Sequence, residues 1–106
     1  PQMKKYACNR LYLSSNEYLS PSVVCLDDEG CVISFALLKD ELDATEWIGG
    51  VVILSEVKDI TFEQNFHQLL QKSSASPNAL LYAWHISNFD FNKEEFSSIS
   101  TLKRLG

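Results

Sequence analysis

The sequence predicts a mainly β fold, α+β by count of its elements: a β-sandwich or partly open barrel with one packed α-helix at about residues 61–74. Three observations predict it. Apolar runs rich in Val, Ile, Leu and aromatic residues recur at strand length. Short polar or glycine-containing breaks separate them. Only one stretch carries apolar residues at helical spacing. With 106 residues, 45% of them hydrophobic and 22% charged, the chain reads as one globular unit over 1–106 that can bury its own core.

A first strand is expected over residues 5–13 from their Tyr, Leu and Cys content, closed by Ser14-Ser15-Asn16, with a loop through Leu19-Ser20-Pro21. Ser22-Val23-Val24-Cys25-Leu26 and Cys31-Val32-Ile33-Ser34-Phe35-Ala36-Leu37-Leu38 flank Asp27-Asp28-Glu29-Gly30. Short acidic residues tolerate a tight turn and Gly30 can take a positive φ, so these runs form a hairpin with a bulge. The polar stretch over 39–46 has room for one helical turn. Val51-Val52-Ile53-Leu54-Ser55, after Gly49-Gly50, is almost continuously apolar and fits a buried strand at the centre of a sheet.

The helix is expected to start at Thr61, with Gln64 reaching back in a capping box. Phe62, Phe66, Leu69 and Leu70 form its apolar stripe, and the polar run 73–78 ends it. A long strand over about 79–89 follows, with Leu80, Tyr82, Trp84 and Ile86 on one face and Leu81, Ala83, His85 and Ser87 on the other. Residues 88–96 read as a polar stretch studded with phenylalanines, and 99–105 as a short last strand.

Fourteen acidic against nine basic residues give a formal net charge of −5. Nucleic acid and anionic membrane surfaces need many cations on one face, so neither is an expected partner. The polar residues after Lys4 and Lys5 interrupt any signal-peptide core, which makes a cytoplasmic location the expectation. Pro1 and Gln2 are expected to precede a native start at Met3. Cys8, Cys25 and Cys31 are odd in number and embedded in apolar sequence, so buried free thiols are expected. A bridge between Cys25 and Cys31 across the hairpin turn is the alternative, which a reducing location opposes.

The order of strand, Asp-Asp-Glu-Gly hairpin, apolar strand, polar connection and Trp47-Ile48-Gly49-Gly50-Val51-Val52-Ile53-Leu54 resembles the start of metal-dependent amidohydrolase-superfamily enzymes. The resemblance covers roughly residues 6–54. It implies the small composite β domain that these enzymes assemble around a catalytic barrel. Gly49-Gly50 would stand where that family has Pro-Gly before its Asp-x-His-x-His motif. Ile53 then takes the Asp position, and Ser55 and Val57 take the two metal-binding His positions. The metal ligands are missing, and a (β/α)8 barrel needs about 250 residues. The resemblance therefore implies the β domain alone, without hydrolase activity.

Other chemistry is weakly signalled. His67 and His85 are the only histidines, and their spacing matches no zinc motif. His67 reads as a surface position, and His85 as a hydrogen-bonded imidazole at an edge or partly buried. His85 with Asp90 and a serine could outline a triad, but no Gly-x-Ser-x-Gly elbow exists. Asp27-Asp28-Glu29 lacks the EF-hand pattern, and no Lys-Ser/Thr follows Gly49-Gly50 as a phosphate-binding loop would require. No catalytic residue, metal ligand or cofactor is assigned.

The rings of Tyr82, Trp84, Phe89, Phe91 and Phe96 are explained first by core packing and second by an exposed apolar patch. Tyr82, Trp84, His85, Phe89 and Phe91 are accordingly the candidate interaction surface. The expected function is a non-catalytic interaction or assembly module, forming a homo-oligomer or joining a protein partner through an edge strand or that aromatic face. The alternatives are a small-molecule-binding or hydrolase-related domain acting on C–N bonds and using His85 in a pocket, and an accessory subunit of a separate barrel protein.

Overall fold

The computed structural model describes residues 3–14, 16–39, 44–62, 65–73 and 79–106. Among them run β1 (Lys4–Cys8), β2 (Arg10–Ser14), β3 (Glu17–Leu19), β4 (Ser22–Leu26), β5 (Val32–Leu37), β6 (Thr45–Trp47), β7 (Val51–Ser55), α1 (Phe66–Lys72), β8 (Tyr82–Asp90) and β9 (Glu95–Arg104). They build a four-stranded sheet, β5-β4-β1-β6, and a five-stranded sheet, β3-β2-β7-β8-β9. The fold is mainly β with one packed helix, as the sequence predicts.

The segment read as one strand over 5–13 is two, because the chain changes sheets at Asn9. β1 pairs antiparallel with β4 in the first sheet, whereas β2 pairs parallel with β7 in the second. The segment from Thr45 to Ser55 makes the same move, β6 lying parallel to β1 and β7 parallel to β2. Between the partners Ala7–Trp47 and Arg10–Val51, the first segment has two residues, Cys8 and Asn9, and the second has three, Ile48 to Gly50. Gly49 and Gly50, at φ of 65° and 63°, absorb the extra residue in backbone that most side chains disfavour. On the other flank Cys31 bridges to Tyr82, and the Val32 N–H donates to the Leu81 carbonyl at 2.8 Å. These links partly close the sandwich into a barrel.

β7 is the central strand of the larger sheet, as its unbroken apolar run predicts. Its alternate side chains serve two cores. Val52 packs between the sheets with Cys8, Leu11, Val24 and Leu26. Val51 and Ile53 pack on the other face with Tyr12, Phe66 and Leu69. The layers are therefore the smaller sheet, the larger sheet and the helix.

The β4–β5 hairpin forms with the expected bulge, a register shift at Cys25/Leu26, and Gly30 stands at φ 85°. The Asp27 carboxylate closes the turn by accepting from the N–H groups of Glu29 and Cys31, both at 2.9 Å. The first acid of the Asp27-Asp28-Glu29 run is thereby engaged by the turn itself.

Several boundaries differ from expectation. The loop expected through Leu19 starts later, because β3 pairs with β2 as far as Leu19; a cis Ser20–Pro21 peptide follows. Thr45–Trp47 is a strand on the edge of the smaller sheet, and most of the expected helical turn, residues 40–43, lies outside the described residues, as do Pro1 and Gln2. The helix starts at Phe66 rather than Thr61. Asn65 is its N-cap and accepts from the Gln68 N–H at 2.8 Å, while Gln64 of the expected capping box lies outside the described residues. Phe62 is therefore off the helical stripe, and its ring meets Phe96 edge-on at 5.0 Å. Phe66, Leu69 and Leu70 are buried as expected. Ser73 caps the end, and residues 74–78 of the expected terminator lie outside the described residues. No helix among the described residues is long and apolar enough to cross a membrane.

The C-terminal half is more strand-rich than its polarity suggests. β9 runs for ten residues instead of the short strand expected over 99–105. Its ladder with β8 survives an irregularity around Asn88, at φ 54°, because hydroxyls replace backbone partners. The Asn88 carbonyl accepts from Ser97 Oγ at 2.6 Å and Ser100 Oγ at 2.9 Å. The irregularity also reverses side-chain parity, so Phe89 joins Trp84 and Ile86 on the helix side.

Candidate functional site

The five residues expected to form one surface, Tyr82, Trp84, His85, Phe89 and Phe91, do not share a face. Trp84 and Phe89 are 7% and 6% exposed and belong to the core beneath α1, with Tyr82 and Phe91 partly buried against it. Phe89 stacks edge-on to Phe66 at 4.7 Å and to Phe91 at 5.4 Å. His85 leaves the opposite face of β8, toward the smaller sheet. Strand alternation placed Trp84 and His85 on separate faces, and burial shows which face each core occupies.

Around His85 the two sheets form a cleft. His85 is paired across the ladder with Val52 of β7 and Lys103 of β9, so all three project on the inner face of the larger sheet. Opposite them, Lys4 and Tyr6 of β1 share the inner face of the smaller sheet with the buried Cys8, and Glu46 of β6 stands beside Tyr6 in the parallel register. These side chains, with Ile48 and Leu105, line an open cavity of about 370 Å³. A carboxylate, two ammonium groups, a phenol and an imidazole thus belong to residues lining one open cavity, the Lys4, Glu46 and Lys103 side chains being exposed.

The crossing point fixes the imidazole. His85 Nε2 lies 3.1 Å from the Gly49 carbonyl oxygen. A carbonyl can only accept, so Nε2 carries the proton and Nδ1 of the neutral ring is an acceptor. Burial pushes the His85 pKa below its usual 6.5; the Gly49 carbonyl opposes this, and the Lys103 ammonium adds to it. Gly50 permits the approach. A side chain there would collide with the Ile86 carbonyl oxygen and come within 3.0 Å of His85 Nε2.

The other candidates stay apart from this cleft. His67 lies on the exposed side of α1, 3.7 Å from Glu94. Asp90 is at the far end of β8, where its carboxylate accepts from the Lys93 N–H at 3.0 Å, so it does not orient His85. No three His, Cys, Asp or Glu among the described residues are placed to hold a metal ion. Cys8, Cys25 and Cys31 are free, without the alternative bridge. Burial pushes the Cys8 thiol up to about 12, and its Sγ donates to the Arg10 carbonyl at 3.2 Å. Ile53 and Ser55 are buried, and the Ser55 hydroxyl accepts from the Val57 N–H at 3.0 Å.

Sequence reasoning singled out His85 but not Lys4, Tyr6, Glu46 or Lys103. Nothing local marks them, because they meet only through the pairing of distant strands. Comparison with protein-family models, curated proteins and solved structures returns no match.

Proposed function

We propose that this chain is a non-catalytic binding module that takes a small molecule in the cleft between its sheets. One observation carries the reading: polar side chains from β1, β6, β8 and β9 converge on a single concavity with apolar walls, the usual make-up of a small-ligand site. The resemblance to the amidohydrolase accessory domain suits a framework without chemistry, since Ile53 and Val57 offer no ligand atom. The free thiols and the net charge of −5 suit a cytoplasmic protein that does not bind nucleic acid. An NMR screen of small polar fragments tests the reading. Binders should shift the amides of Tyr6, Ile48, His85 and Leu105 together, and a screen whose binders all map elsewhere would defeat it.

A second reading, assembly with another copy of this chain, is favoured by the edge strand β5. The Ala36 carbonyl accepts from Ser22 Oγ at 2.9 Å and the Leu38 N–H donates to Pro21, so both residues turn their backbone toward β4. Strand alternation then leaves the backbone groups of Phe35 and Leu37 on the open edge. The run from Val32 to Leu38 carries no charge, so two copies pairing antiparallel meet no like-charge repulsion. Such a short edge makes a weak dimer. Light scattering should show mass rising with concentration and Leu37→Lys abolishing the rise; a strict monomer at high concentration contradicts assembly.

A further inference from the structure

We infer that the cleft is selective for a compact oxyanion with a short apolar body, such as a small carboxylate or a phosphate ester. This rests on the small-molecule reading above.

The charges point to it. Lys4 from one sheet and Lys103 from the other line the same cavity, and no carboxylate among the described residues is within ion-pair distance of either ammonium. Arg104 also contributes to the lining, although its guanidinium stands 5.6 Å from the centre of the Tyr82 ring. The two ammonium groups outnumber the Glu46 side-chain carboxylate among the groups facing the cleft, in a chain whose net charge is −5. Lys4 and Lys103 are exposed to solvent, and like charges lining one open cavity still repel; an oxyanion placed between them relieves that repulsion through charge-assisted hydrogen bonds. Ammonium groups act as point charges and set no planar geometry, so carboxylate and phosphate are both accommodated.

The walls limit the rest of the ligand. Ile48, Leu105 and the Tyr6 ring offer apolar surface, and about 370 Å³ lies at the small end of ligand cavities. Lys4, Tyr6, Glu46, Lys103 and Arg104 are the residues with titratable or charged side chains that line the cleft with His85. The oxyanion favours the imidazolium form of His85, so binding tightens as pH falls through the range where that ring titrates.

The test compares three probes on the intact chain by amide NMR: butyrate, its neutral isostere butyramide, and inorganic phosphate. Butyrate should shift Tyr6, Ile48, His85 and Leu105 saturably in the millimolar range, and butyramide should bind at least about tenfold more weakly. Lys4→Ala and Lys103→Ala should each weaken butyrate by about tenfold, whereas Lys58→Ala, a change at an exposed lysine outside the cleft, should not. Saturable phosphate binding at the same amides without butyrate binding would assign the phosphate class and still support the oxyanion. Butyramide binding as tightly as butyrate would overturn the oxyanion and leave the small-molecule reading standing. Shifts that persist unchanged in both lysine variants would overturn it equally. If none of the three probes binds, both readings fall.

Discussion

Asn9 and Gly50, 41 residues apart, hold each other by reciprocal hydrogen bonds. The Gly50 N–H donates to Asn9 Oδ1 at 2.8 Å, and the Gly50 carbonyl accepts from the Asn9 N–H at 3.1 Å. This pair locks the level at which two parallel segments pass from one sheet into the other. Its neighbour Gly49 turns a carbonyl to His85, so the same crossing that shapes the fold orients the ring in the cleft.

Gly50→Ala should destabilise the chain by about 2–4 kcal/mol, because it combines a positive φ with a collision against Ile86. Asn9→Ala should cost about 1–2 kcal/mol by leaving the Gly50 N–H without its acceptor, and Asn9→Asp, which keeps an oxygen there, should recover much of the loss. Urea denaturation of the three variants measures both effects.

Glu95 ties the helix to the sheet. One carboxylate oxygen accepts from the Phe66 N–H at 2.6 Å and the Phe96 N–H at 2.9 Å. Glu95→Ala should lower stability by about 1–3 kcal/mol, with Glu95→Gln intermediate, since a neutral acceptor replaces a charged one. Hydrogen exchange should locate the loss in α1 first.

The three cysteines should react in order of access. Cys25 is half-buried on the outer side of β4, while Cys8 and Cys31 are buried. A Cys8 thiol held up to about 12 has almost no thiolate near neutral pH. Iodoacetamide followed by peptide mapping should find Cys25 modified first. Modification of Cys8 at the same rate would contradict its burial.

His85 makes stability depend on pH. Its folded pKa lies below the usual 6.5, so the unfolded chain takes up the proton first as pH falls. The contribution of the neutral ring is complete above that value and declines as pH falls below it, levelling off under the folded pKa. His85→Gln, which keeps a donor for Gly49, should remove this part of the pH dependence in denaturation curves taken from about pH 7.5 to about pH 5.5.

The sequence was most legible where one residue type has one structural use. Gly30 and Asp27 marked the hairpin, and the unbroken apolar run at Val51 to Leu54 marked the central strand. The break at Asn9 was hidden because Cys8 and Leu11 are both apolar and both buried, so alternation gives no sign that they belong to different sheets. The length of β9 was hidden because Ser97 and Ser100 look like loop residues until their hydroxyls are seen bonded to Asn88. Of the cleft, His85 alone was singled out. Lys4 and Lys103 lie 99 positions apart, and nothing in the local sequence links them.

The most direct test of the cleft as a ligand site is the imidazole of His85 itself, followed by ring ¹⁵N NMR across pH with and without saturating butyrate. The free protein should show a neutral ring protonated on Nε2 and titrating below 6.5. Butyrate should move that titration upward, because a carboxylate beside the ring stabilises its charged form. A titration unchanged by saturating butyrate would contradict the account.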